Sequence, residues 1–155
     1  ALPVHAGAGV ERAKIADKLV KDTQTLHDRT RKMDFTADQI SNGAKGLLDE
    51  VATGKVTGEE EIWSHTDLYD FQANVDGAKV AYENLKPLLE KKDPELSGTI
   101  GKRFDALQAL LDEHRQGKDG FASYTDLSEA EVKKLSDAVN ALSEPLSQMT
   151  PAVLK

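Results

Sequence analysis

Residues 66–91 read TDLYDFQANVDGAKVAYENLKPLLEK, and the spacing of their apolar members decides the fold class. Leu68, Phe71, Val75, Ala78, Tyr82, Leu85, Leu88 and Leu89 recur every three or four positions. That period lines one face of an α-helix, whereas a strand would alternate. Asp67 and Asp70 fall in the first turn, where negative charge meets the positive end of the macrodipole, and Thr66 or Ser64 can cap it. Pro87 is expected to kink or turn this helix, because it has no N–H and crowds the carbonyl four residues earlier.

The same reading extends in both directions. Residues 1–9 are small and read as a flexible segment, with His5 a solvated residue in it. Ala13, Ala16, Leu19, Val20, Thr23, Leu26 and Thr30 mark a first long helix from Val10 to about Lys32. After a break at residues 33–35, Thr36 caps a second helix striped by Ile40, Ala44, Leu47, Leu48 and Val51. Its Gly43 and Gly46 weaken it by about 1 kcal/mol each relative to Ala and are expected to permit close helix approach. Asp93-Pro94-Glu95 restarts the chain as a fourth helix carrying Leu96, Ile100, Phe104, Leu107, Leu110 and Leu111 to about His114. Residues 115–127 form a loop that Phe121 and Tyr124 can pin. Ser128 and Glu131 make a capping box for a last helix bearing Val132, Leu135, Val139, Leu142, Leu146 and Met149. Pro145 is expected to kink it and Pro151 to end it. The expectation is an all-α fold, an antiparallel four-helix bundle with one additional shorter helix, formed as a single body by residues 10–155.

Composition narrows the functional classes. The 155 residues carry 20 basic and 27 acidic side chains, a formal charge of −7. Such a surface repels the phosphate backbone, so nucleic acid is not an expected partner. With no cysteine, thiolate metal sites, disulfides and thiol nucleophiles are excluded together. No run approaches the length and apolarity of a membrane span, and no basic-then-apolar leader opens the sequence. The start at Ala1, without an initiator Met, suggests a processed product or a fragment.

One stretch exceeds what packing requires. Residues 59–76 hold the only Trp, His65 and six carboxylates. Asp67, Asp70 and Asn74, at i, i+3 and i+7, bring their oxygens to one helix face. In the plain reading the aspartates serve the helix dipole, His65 is a solvated loop residue and Glu59 to Glu61 are a hydrated charge run. In the sharper reading carboxylates and an imidazole converge at a helix entrance to hold a cation. Oxygen with one nitrogen suits iron, manganese or zinc, and the all-oxygen subset suits calcium. No GxGxxG, P-loop, HExxH, GxSxG or nucleophile–base spacing is present.

Residues Gly58-Glu59-Glu60-Glu61 and Ser64-His65-Thr66-Asp67-Leu68-Tyr69-Asp70-Phe71-Gln72-Ala73-Asn74-Val75-Asp76-Gly77 closely resemble the signature stretch of EfeO/EfeM proteins, periplasmic components of the Efe iron-uptake system with an imelysin-like domain. The similarity continues through residues 43–52, 91–96, 120–121 and 141–146 and covers the chain from about Ala16. It departs at the family's GxHxxE hallmark: three positions after His5, His27, His65 and His114 stand Ala8, Thr30, Leu68 and Gly117. The chain therefore resembles the C-terminal half of such a protein, lacking the bundle that carries the motif. The resemblance implies periplasmic iron binding, as Fe2+ or Fe3+, in a cleft between two bundles; Zn2+ or Cu2+ would suit similar donors. It also implies an iron permease and a haem peroxidase as partners, besides the absent N-terminal bundle. Chemistry and placement nominate Glu59, Glu60, His65, Asp67 and Asp70 as metal ligands, with Asp22 a weaker candidate. Alginate, an acidic polysaccharide bound by some relatives, is the alternative ligand, although the charge of −7 opposes it. The peptidase label of the imelysin family finds no support in this chain, which offers neither a nucleophile nor a metal triad at recognised spacing.

Overall fold

A computed structural model of the chain describes residues 6–118 and 120–155. Five helices dominate it: α1 (Ala6–Thr30), α2 (Ala37–Thr53), α3 (Asp67–Lys92), α4 (Pro94–Asp112) and α5 (Glu129–Leu154). Single 3-10 turns cover Lys55–Thr57 and Tyr124–Asp126. Two-residue strands, β1 (Arg115–Gln116) and β2 (Gly120–Phe121), pair antiparallel with Arg115 opposite Phe121. The chain divides into two compact units, Ala1–Phe35 and Thr36–Lys155.

The first unit is built on α1. It begins at Ala6, so part of the expected flexible segment is helical, and residues 1–5, His5 among them, lie outside the described residues. Its hydroxyls return to its own backbone, Thr23 to the Leu19 carbonyl (2.9 Å) and Thr25 to that of Lys21 (2.8 Å). The apolar positions Ile15, Leu19, Val20 and Leu26 are exposed.

The second unit is the four-helix bundle. Each of α2 to α5 packs chiefly on two others, in the cyclic order α2, α3, α4, α5. Hydrogen bonds between helices give the directions. Asn74 near the start of α3 donates to the Leu47 carbonyl late in α2 (3.2 Å), and Thr150 near the end of α5 donates to Ser41 at the start of α2 (2.8 Å). Neighbours therefore run antiparallel, the arrangement expected for short connections. Leu48, Phe71, Val75, Phe104, Leu107, Leu135, Val139, Leu142 and Leu146 fill the interior. Tyr82 stacks on Phe104 at 5.6 Å and satisfies its buried hydroxyl by donating to the Ser97 carbonyl (2.8 Å). Asp93 caps α4 by accepting from the Leu96 N–H (2.9 Å), with Pro94 following it, and Ser128 and Glu131 form the expected box on α5.

Several local expectations are corrected. α3 holds Pro87 inside a span that reaches Lys92, as its expected extent required, while α5, expected to end at Pro151, continues to Leu154. Burial explains that continuation: Val153 is buried and its carbonyl accepts from Lys92 Nζ (2.8 Å), which holds the final turn. Leu88, expected inward, is exposed because it lies beside the Leu85–Leu89 line rather than on it. Thr66 precedes α3 but its side chain makes no capping bond. Gly43 and Gly46 face open space, and the close approach occurs instead at Gly77, where an added Cβ would stand 3.0 Å from Leu47 Cδ1. Gly43→Ala and Gly46→Ala are therefore expected to stabilise the bundle by about 1 kcal/mol each. Gly77→Ala, which must displace Leu47, is expected to give less or to lose stability, and urea denaturation of the three variants checks this.

Candidate functional site

The segment between α2 and α3 is polar and needs fastening to stay ordered. Gly54 ends α2, its N–H returning to the Glu50 carbonyl (2.9 Å). Gly58 then adopts φ +69°, and no side chain would fit there, since a Cβ would fall 2.4 Å from the Tyr124 ring. A turn over residues 60–64 closes with His65 N–H donating to the Glu61 carbonyl (2.8 Å). His65 leaves that turn at φ 55°, a conformation uncommon for a residue with a Cβ. Two contacts hold it there. Tyr124 N–H donates to the His65 carbonyl (3.0 Å), and Asp67 Oδ1 accepts from Glu61 N–H (3.2 Å).

Phe121 and Tyr124 lock this segment. The Tyr124 hydroxyl donates to the Val56 carbonyl (2.5 Å), and the Tyr69 hydroxyl accepts from Phe121 N–H (3.1 Å) while the two rings meet edge to face at 5.3 Å. The Arg115 guanidinium also lies over the Phe121 ring, 4.7 Å from its centre. Phe121 and Tyr124 thus pin the loop as their positions suggested.

The nominated ligands are placed as follows. Asp67 is fully buried; one oxygen holds Glu61, and the other, Oδ2, has no hydrogen-bond partner. Asp70 and His65 are half-buried, and Glu59 and Glu60 are exposed. Asp22 lies exposed in α1 and pairs with Lys18. Among the described residues, no group of three or more His, Asp or Glu side chains is placed to hold a metal ion. Asp67 Oδ2 is the nominated donor that is both desolvated and unpartnered, and as a carboxylate oxygen it fits a hard cation.

The rest of the signature stretch is given to packing. Gln72 and Gln108 exchange two amide hydrogen bonds (2.8 and 2.9 Å), and Gln108 passes a further one to Asp112, which Arg115 also binds (2.9 and 2.7 Å). Leu68, Phe71 and Val75 enter the core and Asn74 ties α3 to α2. Sequence reasoning put Asn74 on the ligand face and assigned Gln72 no role; its spacing of four from the core residue Leu68 was the signal that it borders a helix interface.

Electrostatics around the connector keep Tyr124 neutral. Burial first, and the Asp67 carboxylate second, push its phenol up to about 12. Hydrogen bonds from Arg115 and Gln108 hold Asp112 below its ordinary range, as those from Ser128 do Glu131.

Comparison with known proteins adds the lineage. Residues 10–149 match the family model Peptidase_M75, described as Imelysin. A Staphylococcus aureus (strain NCTC 8325 / PS 47) protein described as "Efem/EfeO family lipoprotein" is 49% identical over 136 residues, 88% of this chain and 48% of that protein. A Staphylococcus haemolyticus (strain JCSC1435) protein of the same description is 51% identical over 136 residues, 88% of this chain and 47% of its own length. The chain spans about half the length of the curated relatives it matches.

The raised Tyr124 value carries a sign. The folded state favours the protonated phenol, so this contribution to stability is complete below pH 10, its unfolded value, and drains away as pH rises toward 12. Thermal melts from pH 8 upward are expected to show a steeper alkaline loss for the native chain than for Tyr124→Phe, whose absolute stability is lower throughout.

Proposed function

The chain belongs to the imelysin family, as a protein of the EfeO/EfeM type, and on that footing we propose that it is a metal-binding part of an Efe-type iron-uptake system working at the cell envelope outside the cytoplasm. The lipoprotein description of the relatives supports that location. No helix among the described residues is long and apolar enough to cross a membrane. Iron is cargo in this reading, bound and passed on rather than used for chemistry. An iron permease and a haem peroxidase of the same system would be its partners.

The observation that carries the reading is the buried, unpartnered Oδ2 of Asp67 in a family of this type. A desolvated carboxylate oxygen without a protein donor is costly, and a hard cation would offset that cost. Half-buried His65 and Asp70 and exposed Glu59 and Glu60 are the further nominated donors, and their carboxylates favour a cation. Because these residues do not form a complete ligand set, the remaining donors would come from elsewhere in the whole protein, whose relatives carry about as much chain again. The chain then acts as one bundle of a two-bundle binder, with the metal at their junction.

Two measurements test this. Anaerobic titration of Fe2+ into the 155-residue chain is expected to show weak binding, with Kd of about 0.1 mM or above. Asp67→Asn keeps an acceptor for Glu61 N–H and is expected to weaken binding by about threefold or more with an unchanged helical spectrum; equal affinity removes Asp67 from the site. Deletion of the gene in its host is expected to slow growth only when iron is scarce, and equal growth overturns the uptake role.

A further inference from the structure

Trp63, the only tryptophan, stands 91% exposed at the tip of the connector, with Ile62 beside it at 54%. Leaving an indole in water forgoes one of the largest burial gains a side chain can make. The turn carrying it is not loose. The Asp67 carboxylate, the Tyr124 N–H and the Ser64 hydroxyl, which donates to Glu61 Oε2 (2.7 Å), hold it from three sides. Rigid presentation of a large aromatic lowers the ordering cost of binding, and such residues dominate protein interfaces. Within the reach of the same Tyr124 lies a hollow of about 500 Å³, whose apolar lining is Val56, Tyr124, Leu127 and Val132 and whose polar lining includes Glu129, Lys133 and Asp137. A protruding apolar pair and a partly apolar recess thus belong to one end of the bundle.

Charge selects the occupant. Glu59 and Glu60 precede the tip and are exposed, Glu129 lines the recess, where Asp137 is paired with Lys133 (2.7 Å), and the chain as a whole carries −7. We infer that the Ile62–Trp63 tip is a protein-docking knob whose partner presents an apolar pocket rimmed by lysine or arginine. A lipid surface fits less well, since anionic headgroups are repelled by the glutamates that flank the indole. The inference does not depend on iron binding, and the Ile62→Ser arm of its test touches no residue nominated for the metal.

The single indole is its own reporter. The native chain is titrated with a synthetic amphipathic helical peptide of repeating Leu-Lys-Lys-Leu, with a Leu-Glu-Glu-Leu peptide and with phosphatidylcholine vesicles, following Trp63 emission. The basic peptide is expected to shift emission to the blue, less so at high salt. Ile62→Ser and the double variant Glu59→Gln, Glu60→Gln are each expected to weaken that binding by about fivefold or more. Val80→Ser, at an exposed apolar residue on α3, is expected to leave it unchanged. An equal shift with the acidic peptide, a shift with vesicles alone, no shift with the basic peptide, or equal weakening by Val80→Ser overturns the inference.

Discussion

A carboxylate placed out of water holds this structure's polar end together. Asp67 sits at the first position of α3 with no exposed surface, and one of its oxygens accepts from Glu61 N–H. A buried charge costs several kcal/mol unless it is hydrogen-bonded or paired. Here a single backbone donor answers it, supported by the partial positive charge at the helix N-terminus. That bond fixes where the turn over residues 60–64 lies. From it follow the left-handed backbone of His65, the register of Tyr124 against the His65 carbonyl, and the requirement for glycine at position 58 under the Tyr124 ring. Remove the acceptor and a run of glutamates, glycines and threonines has little else to keep it compact.

The bundle below supplies the rigidity this arrangement needs. Close-packed residues such as Phe71, Val75, Leu107 and Val139 leave few internal voids to absorb movement, so α3 acts as a fixed post. Gln72, Gln108, Asp112 and Arg115 then connect α3, α4 and the small β1–β2 ribbon through one chain of polar contacts. The ribbon returns the support by placing Phe121 against Tyr69. The connector has two sides as a result. Inside are a desolvated carboxylate oxygen and a neutral phenol; outside are glutamates and an exposed indole. Cation capture draws on the Asp67 oxygen of the first side and protein docking on the indole of the second, and Glu59 and Glu60 serve both.

Much of the bundle was legible in the residues. The apolar periods that mark α2, α3, α4 and α5 are the ones that fill the core, because a helix of 3.6 residues per turn can bury only the positions that recur on one face. Asp93, Pro94, Ser128 and Glu131 announced helix starts through bonds that close within a few residues, and they form those bonds. Pro151 misled for the opposite reason. A lost N–H is a local penalty, while the burial of Val153 and its bond from Lys92 depend on a helix remote in sequence. Gly43 and Gly77 look alike on paper, yet only the second has a neighbour close enough to require its missing Cβ.

The candidate site divides along the same line. Its composition, an acid- and imidazole-bearing stretch at a helix start, is a property of consecutive residues and could be read directly. Whether a given carboxylate faces water, a backbone donor or nothing depends on what folds over it, and the connector around Asp67 is itself fastened by Phe121 and Tyr124, remote along the chain. Asp67 and Asp70 have the same chemistry and share a helix face by spacing. Burial singles out Asp67, because spacing alone does not say which of two like carboxylates the folded chain takes out of water.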